Sequence, residues 1–280
     1  MIAVAKLYND TNDFQRKGGA KIFSMIQHDF GPSAKFGTVV DIGCGTGNVT
    51  LDFLNSSQCD QLIAFDKNKS MIEFAREINK SDEVNYEVAD ISDNFDELKY
   101  NIKLSKKADL VFSVYCLHWV QNKTKAFENI NRFLKPGGKC YLLFMYWSDL
   151  YMCDNEFILS SKWKKYIPNI DEMLSTSAPF HKASLPNIAD STKKLKESME
   201  IAGFTKCEVT IKQEKYFFEE FNHFMLDFHS VCPYVNFVPA SERNEFFKDY
   251  FDFLRKNYNT GSKNVDDICE FRPHFLEYSK

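Results

Sequence analysis

Three acids in this chain each stand just beyond an apolar run. Asp41 follows Val39-Val40, Asp66 follows Leu62-Ile63-Ala64-Phe65, and Asp90 follows Val84–Ala89. The first run continues into Gly43-Cys44-Gly45-Thr46-Gly47, three glycines at alternate positions. Glycines there let the backbone turn sharply and let a ligand approach without Cβ atoms in the way. A helix starting directly afterwards offers N–H donors and partial positive charge. Two nucleotide loops are excluded. The third glycine of Gly-x-Gly-x-x-Gly would fall at position 48, which is Asn, and no Gly-Lys-Ser/Thr is present. An acid about 20–25 residues past a glycine loop is placed to accept both hydroxyls of a ribose, and Asp66 meets that spacing. Asp66 alone would read as a helix cap. Three acids after three successive strand-like runs are poorly explained as caps.

The elements that must hold these residues alternate. Strand-like runs are Gly37–Ile42, Gln61–Asp66, Val84–Ala89, Ala108–Val114 and Lys139–Met145, then Thr205–Lys212 and Asp267–Tyr278. Pro273 in the last predicts a bulge or an early end. Helical spacing falls between them: Thr46–Asn55, Ser70–Asn79 with Ser70 and Glu73 as a capping box and Met71, Ala75 and Ile78 on one face, Asn122–Leu134, and Thr192–Ala202 stopped by Gly203. Lys135-Pro136-Gly137-Gly138 reads as the turn between helix and fifth strand. This rhythm predicts an α/β fold with a doubly wound, mostly parallel seven-stranded sheet. Residues 1–36 read as a helical N-terminal segment, in which Gly18-Gly19 weakens the helix after Gln15. Two stretches break the rhythm, 147–190 and 217–259. The second holds two amphipathic helices, with Phe217, Phe218, Phe221, Phe224, Met225 and Phe228 on one face and Phe246, Phe247, Tyr250, Phe251 and Leu254 on the other's. Both stretches read as insertions covering the carboxyl edge of the sheet, within a single domain over 1–280.

Composition removes several classes. The 280 residues carry a net charge of −4 and are 44% hydrophobic and 26% charged, ordinary for a globular protein. No apolar run approaches the ~18 residues of a membrane span, and the first eleven residues do not read as a secretory leader. A slightly acidic chain without a basic block argues against nucleic acid as the main partner. The eight cysteines form no Cys-x-x-Cys pair, so metal is not expected, and reduced thiols in a cytoplasmic setting are. The 27 Phe predict a core rich in large rings, a minority of which, with Trp147, Tyr151 and Trp163, would line a lipophilic pocket.

Hydrophobic-Asp-x-Gly-x-Gly-x-Gly, with acids after the next two strands, resembles the class I S-adenosylmethionine-dependent methyltransferases. The resemblance implies S-adenosyl-L-methionine as cofactor, S-adenosyl-L-homocysteine as product, and a binding set of Asp41, Gly43, Cys44, Gly45, Gly47, Asp66, Lys67, Asp90, Ile91 and Ser113, with Asp41 as counter-charge to the cofactor's amine. In that family the acid after the third strand meets the adenine amino group and the next apolar residue covers the ring. The stretch Phe112-Ser113-Val114-Tyr115-Cys116-Leu117-His118-Trp119-Val120-Gln121, with Phe14-Gln15-Arg16 and Leu134–Gly138, resembles the insect juvenile hormone acid O-methyltransferases over most of the chain. That likeness implies a small lipophilic carboxylic acid as substrate, a sesquiterpenoid or fatty acid such as farnesoic acid or juvenile hormone acid. It implies that Gln15 and Trp119 hold the carboxylate.

The chemistry agrees. A carboxylic acid with a pKa near ~4 is already ionised at pH 7 and needs no strong base, so alignment and removal of water suffice. A Gln amide and an indole N–H are neutral donors. His118 would orient its neighbours for such an acceptor. It would act as general base for the alternatives, a hydroxyl, phenolic or carbon acceptor. Arg16 reads either as a counter-charge or as a solvated helix residue. A cofactor-binding protein without turnover is the third reading, and the intact acids speak against it. A homodimer is the assembly expected, although no motif specifies it.

Overall fold

The computed structural model describes residues 2–145, 149–167, 188–213, 221–258 and 274–275. Five strands form one parallel sheet: β1 (Lys35–Ile42), β2 (Gln58–Asp66), β3 (Val84–Val88), β4 (Ala108–Val114) and β5 (Leu134–Leu143). Their order is β3-β2-β1-β4-β5, so the chain winds outward from β1 in two directions. Crossover helices cover both faces, and the strands are therefore apolar on both sides. Val39, Leu62, Leu110 and Phe112 join one buried cluster with α2 (Asp13–Phe30), α3 (Asn48–Ser56) and α4 (Lys69–Glu77). Val40, Ile63, Phe65 and Val111 join the opposite one with α5 (Phe95–Asn101), α6 (Lys123–Phe133) and α8 (Ile188–Ile201). A neighbour-by-neighbour swap between clusters is the period of two that a strand imposes.

Five sheet strands, not the seven expected, are found among the described residues. Cys207, Val209 and Ile211 do lean alternate side chains on the core, yet Thr205–Ile211 forms no ladder. Only β6 (Lys212–Gln213) and β7 (His274–Phe275) pair, antiparallel, as a separate two-stranded sheet. β7 directly follows Pro273, which can donate no ladder bond. The rest of the expected last strand lies outside the described residues. Lys135–Gly138 is no connecting turn either. β5 starts at Leu134, opposite Ala108, and the next pair is Leu110 with Lys139, so the four residues bulge out of a strand already begun.

Two local expectations shift. The cap of α4 is Asn68, whose Oδ1 accepts from the backbone N–H of Ser70, and not Ser70 itself. The buried face is accordingly Ile72, Phe74 and Ala75, and Ile78 is exposed. Gly18 and Gly19 do not weaken α2, which runs unbroken through both, buried. A Cβ on Gly18 would stand 2.5 Å from Tyr115 Cε2 and 3.0 Å from Leu143 Cδ2, so the glycine is what lets α2 lie on the sheet.

A third buried cluster stands apart from both sheet faces. It joins α7 (Asp149–Ser160), a short turn at Lys162–Lys165, α9 (Phe221–Val231) and α10 (Arg243–Tyr258). Phe246, Phe247, Tyr250, Phe251 and Leu254 are all buried, as the helical spacing predicts. Phe224 and Phe228 on α9 meet them, the Phe228 ring stacking on Tyr250 at 4.6 Å. Trp163 is fully buried and donates its indole N–H to Asp249. Trp147, Phe217 and Phe218 lie outside the described residues. Met145 is the one described residue packed partly against both this cluster and a sheet cluster.

Candidate active site

The site grows from the end of β1. Gly43, Gly45 and Gly47 have φ of +73°, +54° and +87°, left-handed values that a side chain resists. A Cβ on Gly43 would fall 2.2 Å from Cys116 Sγ, and one on Gly45 would fall 3.1 Å from Tyr8 Cε1. The loop amides are not the free donors that the sequence suggests. Gly43 and Cys44 donate to the Phe65 carbonyl at 2.8 and 3.1 Å, Gly45 to Asp66 Oδ2 at 3.1 Å, and Gly47 to the Cys44 carbonyl at 2.9 Å. The glycines thus serve close approach of the backbone.

Asn48, at the position of the missing third glycine, fastens the loop from outside. Its Oδ1 accepts from Thr46 Oγ1 and Asn12 Nδ2, and its Nδ2 donates to the Asn9 carbonyl and Asn12 Oδ1. These bonds tie the glycine loop to the junction of α1 (Ile2–Thr11) and α2.

Above the loop lies a cavity of about 300 Å³. Gly43 and Gly45 form its floor together with the ends of neighbouring strands, where open α/β sheets bind their ligands. Asp66, Lys67, Asp90 and Ile91 line it, as do Gln15, His118 and Trp119. Asp66 takes N–H bonds from Gly45 and, at 2.8 Å, from Asn68. Asp90 Oδ1 is held by the Ser92 N–H and hydroxyl at 2.9 and 2.6 Å. Both carboxylates are thereby oriented with lone pairs left over.

Asp41, Cys44, Gly47 and Ser113, four expected contacts, are not in the cavity wall. Asp41 lies beneath the loop and accepts from Thr50 Oγ1 at 2.6 Å, and burial pushes its carboxyl up to about 7. Ser113 donates to the Ile42 carbonyl at 2.8 Å, a strut between β4 and β1. Cys44 is buried among the apolar side chains of one sheet face. Gly47 lets Tyr86 close in, since a Cβ there would fall 2.5 Å from the tyrosine oxygen. Arg16 is outside the wall too, forked onto Asp52 with two bonds of 2.7 Å.

The side chains beside the strand ends are unusual in what they lack. Gln15 is 8% exposed and its Oε1 has no hydrogen-bond partner among the described residues. His118 is 1% exposed, and its Nδ1 is equally unpartnered. Burial drives the His118 pKa down to about 3, so the ring is neutral at physiological pH. Trp119, half-buried, tilts against His118 with ring centres 4.7 Å apart. Tyr115 holds φ at +51°, a strained setting for a residue with a side chain, and stacks on Phe14 at 4.4 Å. Buried polar atoms without partners are costly in an empty protein, and they are what a polar ligand would satisfy.

Among the wall residues that escaped sequence reasoning are Tyr8 on α1, Asp154 on α7 and Asp227 on α9. Asp154 accepts from Tyr250 and Tyr234 at 2.5 and 3.2 Å. Asp227 is 7% exposed and its Oδ1 has no partner among the described residues. Burial pushes both carboxyls up to about 7. A lone acid on an amphipathic helix reads as part of a solvated face, and nothing in its spacing signals otherwise. Among the described residues, no group of His, Cys, Asp and Glu is placed to hold a metal ion.

A methyltransferase-domain family matches residues 40–142, the segment that carries the glycine loop, Asp66, Asp90 and His118–Trp119. The chain is an S-adenosylmethionine-dependent methyltransferase. The methyltransferase is 27% identical to juvenile hormone acid O-methyltransferase of Drosophila melanogaster over 94% of its own length and 86% of that protein's. It is 25% identical to the Bombyx mori protein of the same name, over 90% and 86%. It is 27% identical to malonyl-[acyl-carrier protein] O-methyltransferase 2 of Ilyobacter polytropus, over 97% and 92%. In fold it is similar to Haemonchus contortus phosphoethanolamine N-methyltransferase 2, solved with phosphomonomethylethanolamine and S-adenosylhomocysteine. The TM-score is 0.50 and the identity 18%, over 93% of the methyltransferase and 52% of that chain. The cavity fits its cofactor: Cβ-free backbone on the floor, two oriented carboxylates for hydroxyl and amino donors, and Ala89, Ile91 and Met71 as apolar wall.

Proposed function

We propose that this methyltransferase esterifies the carboxylate of a lipophilic acid, a sesquiterpenoid or fatty acid of the farnesoic or juvenile hormone acid type. The reading rests on one observation: the polar side chains gathered near the strand ends, Gln15, His118 and Trp119, are neutral, so His118, the base that a hydroxyl or phenolic acceptor would use there, is a poor one. When bound, S-adenosylmethionine supplies an activated methyl group. An ionised carboxylate can take that methyl without losing a proton, so nothing in the wall has to accept one. A hydroxyl or phenol does need a base, and a histidine whose pKa is near 3 is a weak one.

In this proposal Asp66 accepts from the cofactor's ribose hydroxyls, Asp90 from the adenine amino group, and Ile91 covers the ring. Gly43 and Gly45 let the backbone close on the cofactor, and Lys67 borders the ribose. The Gln15 amide and the Trp119 indole N–H hold the acceptor's carboxylate without neutralising it, and a neutral His118 contributes one further N–H. Holding it in line with the methyl group is then the main contribution to rate. Phe224 and Phe228 give the tail an apolar wall, with α7, α9 and α10 as a substrate cap within the single domain. Full-length similarity to O-methyltransferases named for carboxylic acids supports the acceptor class. A cytoplasmic setting and a homodimer are carried as parts of the same proposal.

The test is turnover of farnesoic acid with methyl-labelled S-adenosylmethionine, followed as the methyl ester. Trp119→Phe and Gln15→Ala are expected to cut ester formation at least tenfold. His118→Gln is expected to retain turnover, since no proton has to be removed. Absence of ester from the wild-type protein at saturating cofactor would overturn the acceptor, and collapse of turnover in His118→Gln alone would point to an acceptor that needs a base.

A further inference from the structure

The cavity holds a carboxylate that the reading above does not use. Asp227 lies on α9, outside the sheet, yet borders the same space as Gly43 and Gly45. It is 7% exposed and Oδ1 finds no partner among the described residues. An acid so buried is costly unless something of opposite charge or a good donor meets it. Among the described residues the surrounding charge offers it none. Asp66, Asp90, Asp154 and Asp227 all border the cavity, Lys67 is the one Lys or Arg among the described residues of its wall, and His118 is neutral. The nearby charge that acts on Asp227 is Asp13, of like sign. Such a cavity is built for a cation.

Position says which cation. The sheet order sets the carboxyl ends of β3, β2, β1 and β4 in a row, with Asp90 just past β3, Asp66 at the end of β2 and the glycine loop past β1. A nucleoside with its base near Asp90 and its ribose at Asp66 extends its remaining arm over β1 and β4. Tyr8 stands there, 3.1 Å from where a Cβ of Gly45 would be. Asp227 is close enough to Tyr8 to raise its phenol pKa. α1, which carries Tyr8, packs on α9, which carries Asp227. The amides of Gly43, Cys44, Gly45 and Gly47 are engaged inside the protein, and Asp41 lies under the loop on Thr50. The acid expected to balance the cofactor's amine is therefore turned away from it, and another acid stands in the open position.

We propose that Asp227 is the anionic partner of the cofactor's α-ammonium group, so that helix α9 of the cap completes the cofactor site. Asp227 acts here as a binding residue and takes no part in the methyl transfer itself. The cap and the sheet would each hold one end of the same molecule, Asp90 and Asp66 the adenosine and Asp227 the amino acid.

The experiment compares two ligands on the full chain by titration calorimetry. S-adenosylhomocysteine carries the ammonium. 5′-Methylthioadenosine shares the adenosine and the thioether and lacks the amino acid. Asp227→Asn keeps the shape and removes the charge. The expected result is a loss of about tenfold or more in affinity for S-adenosylhomocysteine, with 5′-methylthioadenosine changed by less than about twofold. Asp227→Ser is expected to give the same split, and it serves should the first variant not fold. Unchanged affinity for S-adenosylhomocysteine overturns the proposal and leaves Asp227 to the acceptor. Equal weakening of both ligands also overturns it, since a merely structural acid would act that way. Neither result bears on whether the acceptor is a carboxylic acid, which ester formation reads separately.

Discussion

Gly18→Ala asks whether α2 lies against the sheet for the reason given. In an exposed helix this change is favourable by about 1 kcal/mol, because glycine is the poorer helix former. Here the added methyl would meet Tyr115 Cε2 at 2.5 Å and Leu143 Cδ2 at 3.0 Å. Tyr115 cannot easily yield. It is 8% exposed, it is stacked on Phe14, and its backbone is already in the left-handed region. Inserting a methyl group into a filled core costs about 1–3 kcal/mol, and two contacts at or below 3.0 Å put this site toward the upper end. Subtracting the gain in propensity leaves a net loss of about 1–2 kcal/mol, or a few degrees in Tm. Urea unfolding of the two proteins side by side measures it. Gln15 sits one turn before Gly18 on the same helix face, so the variant's KM for the acid acceptor proposed above should also rise. A variant as stable as wild type, or more so, would refute close approach as the role of this glycine.

Two other outcomes follow from bonds and burial described above. Asn48→Ala removes three hydrogen bonds between the glycine loop and the α1–α2 junction and a fourth to Thr46 within the loop, and at roughly 0.5–1 kcal/mol net for each half-exposed bond the loss should be about 2–4 kcal/mol. A change under about 0.5 kcal/mol in urea unfolding would show that the network is incidental. His118 should leave no break in the pH dependence of kcat between 5.5 and 8, because burial keeps it neutral down to about 3. In the unfolded chain the same ring takes up a proton below about 6.5. Its contribution therefore lowers stability as pH falls from about 6.5 toward 3, and His118→Gln should flatten that part of the profile. A rate break near 6.5 that disappears in His118→Gln would sink the neutral-ring assignment.

What could be read from the residues was the part governed by short-range rules. β4 is found at Ala108–Val114 as its apolar run predicts, and the glycine loop, Asp66, Asp90, Gln15, His118 and Trp119 do border one cavity. Expectation and structure part where the deciding partner lies on another element. Asp41 and Ser113 have the right types beside the right loop, but Thr50 and Ile42 engage them first. Lys135–Gly138 has turn composition, and only the pairing of Leu134 with Ala108 shows that the strand had already started. Gly18-Gly19 reads as a weakness until Tyr115, nearly a hundred residues on, is seen to need the space. Asp154 and Asp227 carry no local signal at all, because Asp154 is buried against Tyr234 and Tyr250 and Asp227 where α9 packs on α1.

The separateness of the aromatic cluster has a wider consequence. Its buried residues belong to neither sheet core, and Met145 alone among the described residues leans on both sides. Rings such as Phe224 or Phe251 can therefore be exchanged for others without disturbing the packing beneath the glycine loop. Under the proposed function, exchange of those rings would retune which acceptor is admitted while the donor end stays under strict constraint. A chain only about a quarter identical to its named relatives can in this way keep the donor site and diverge at the acceptor.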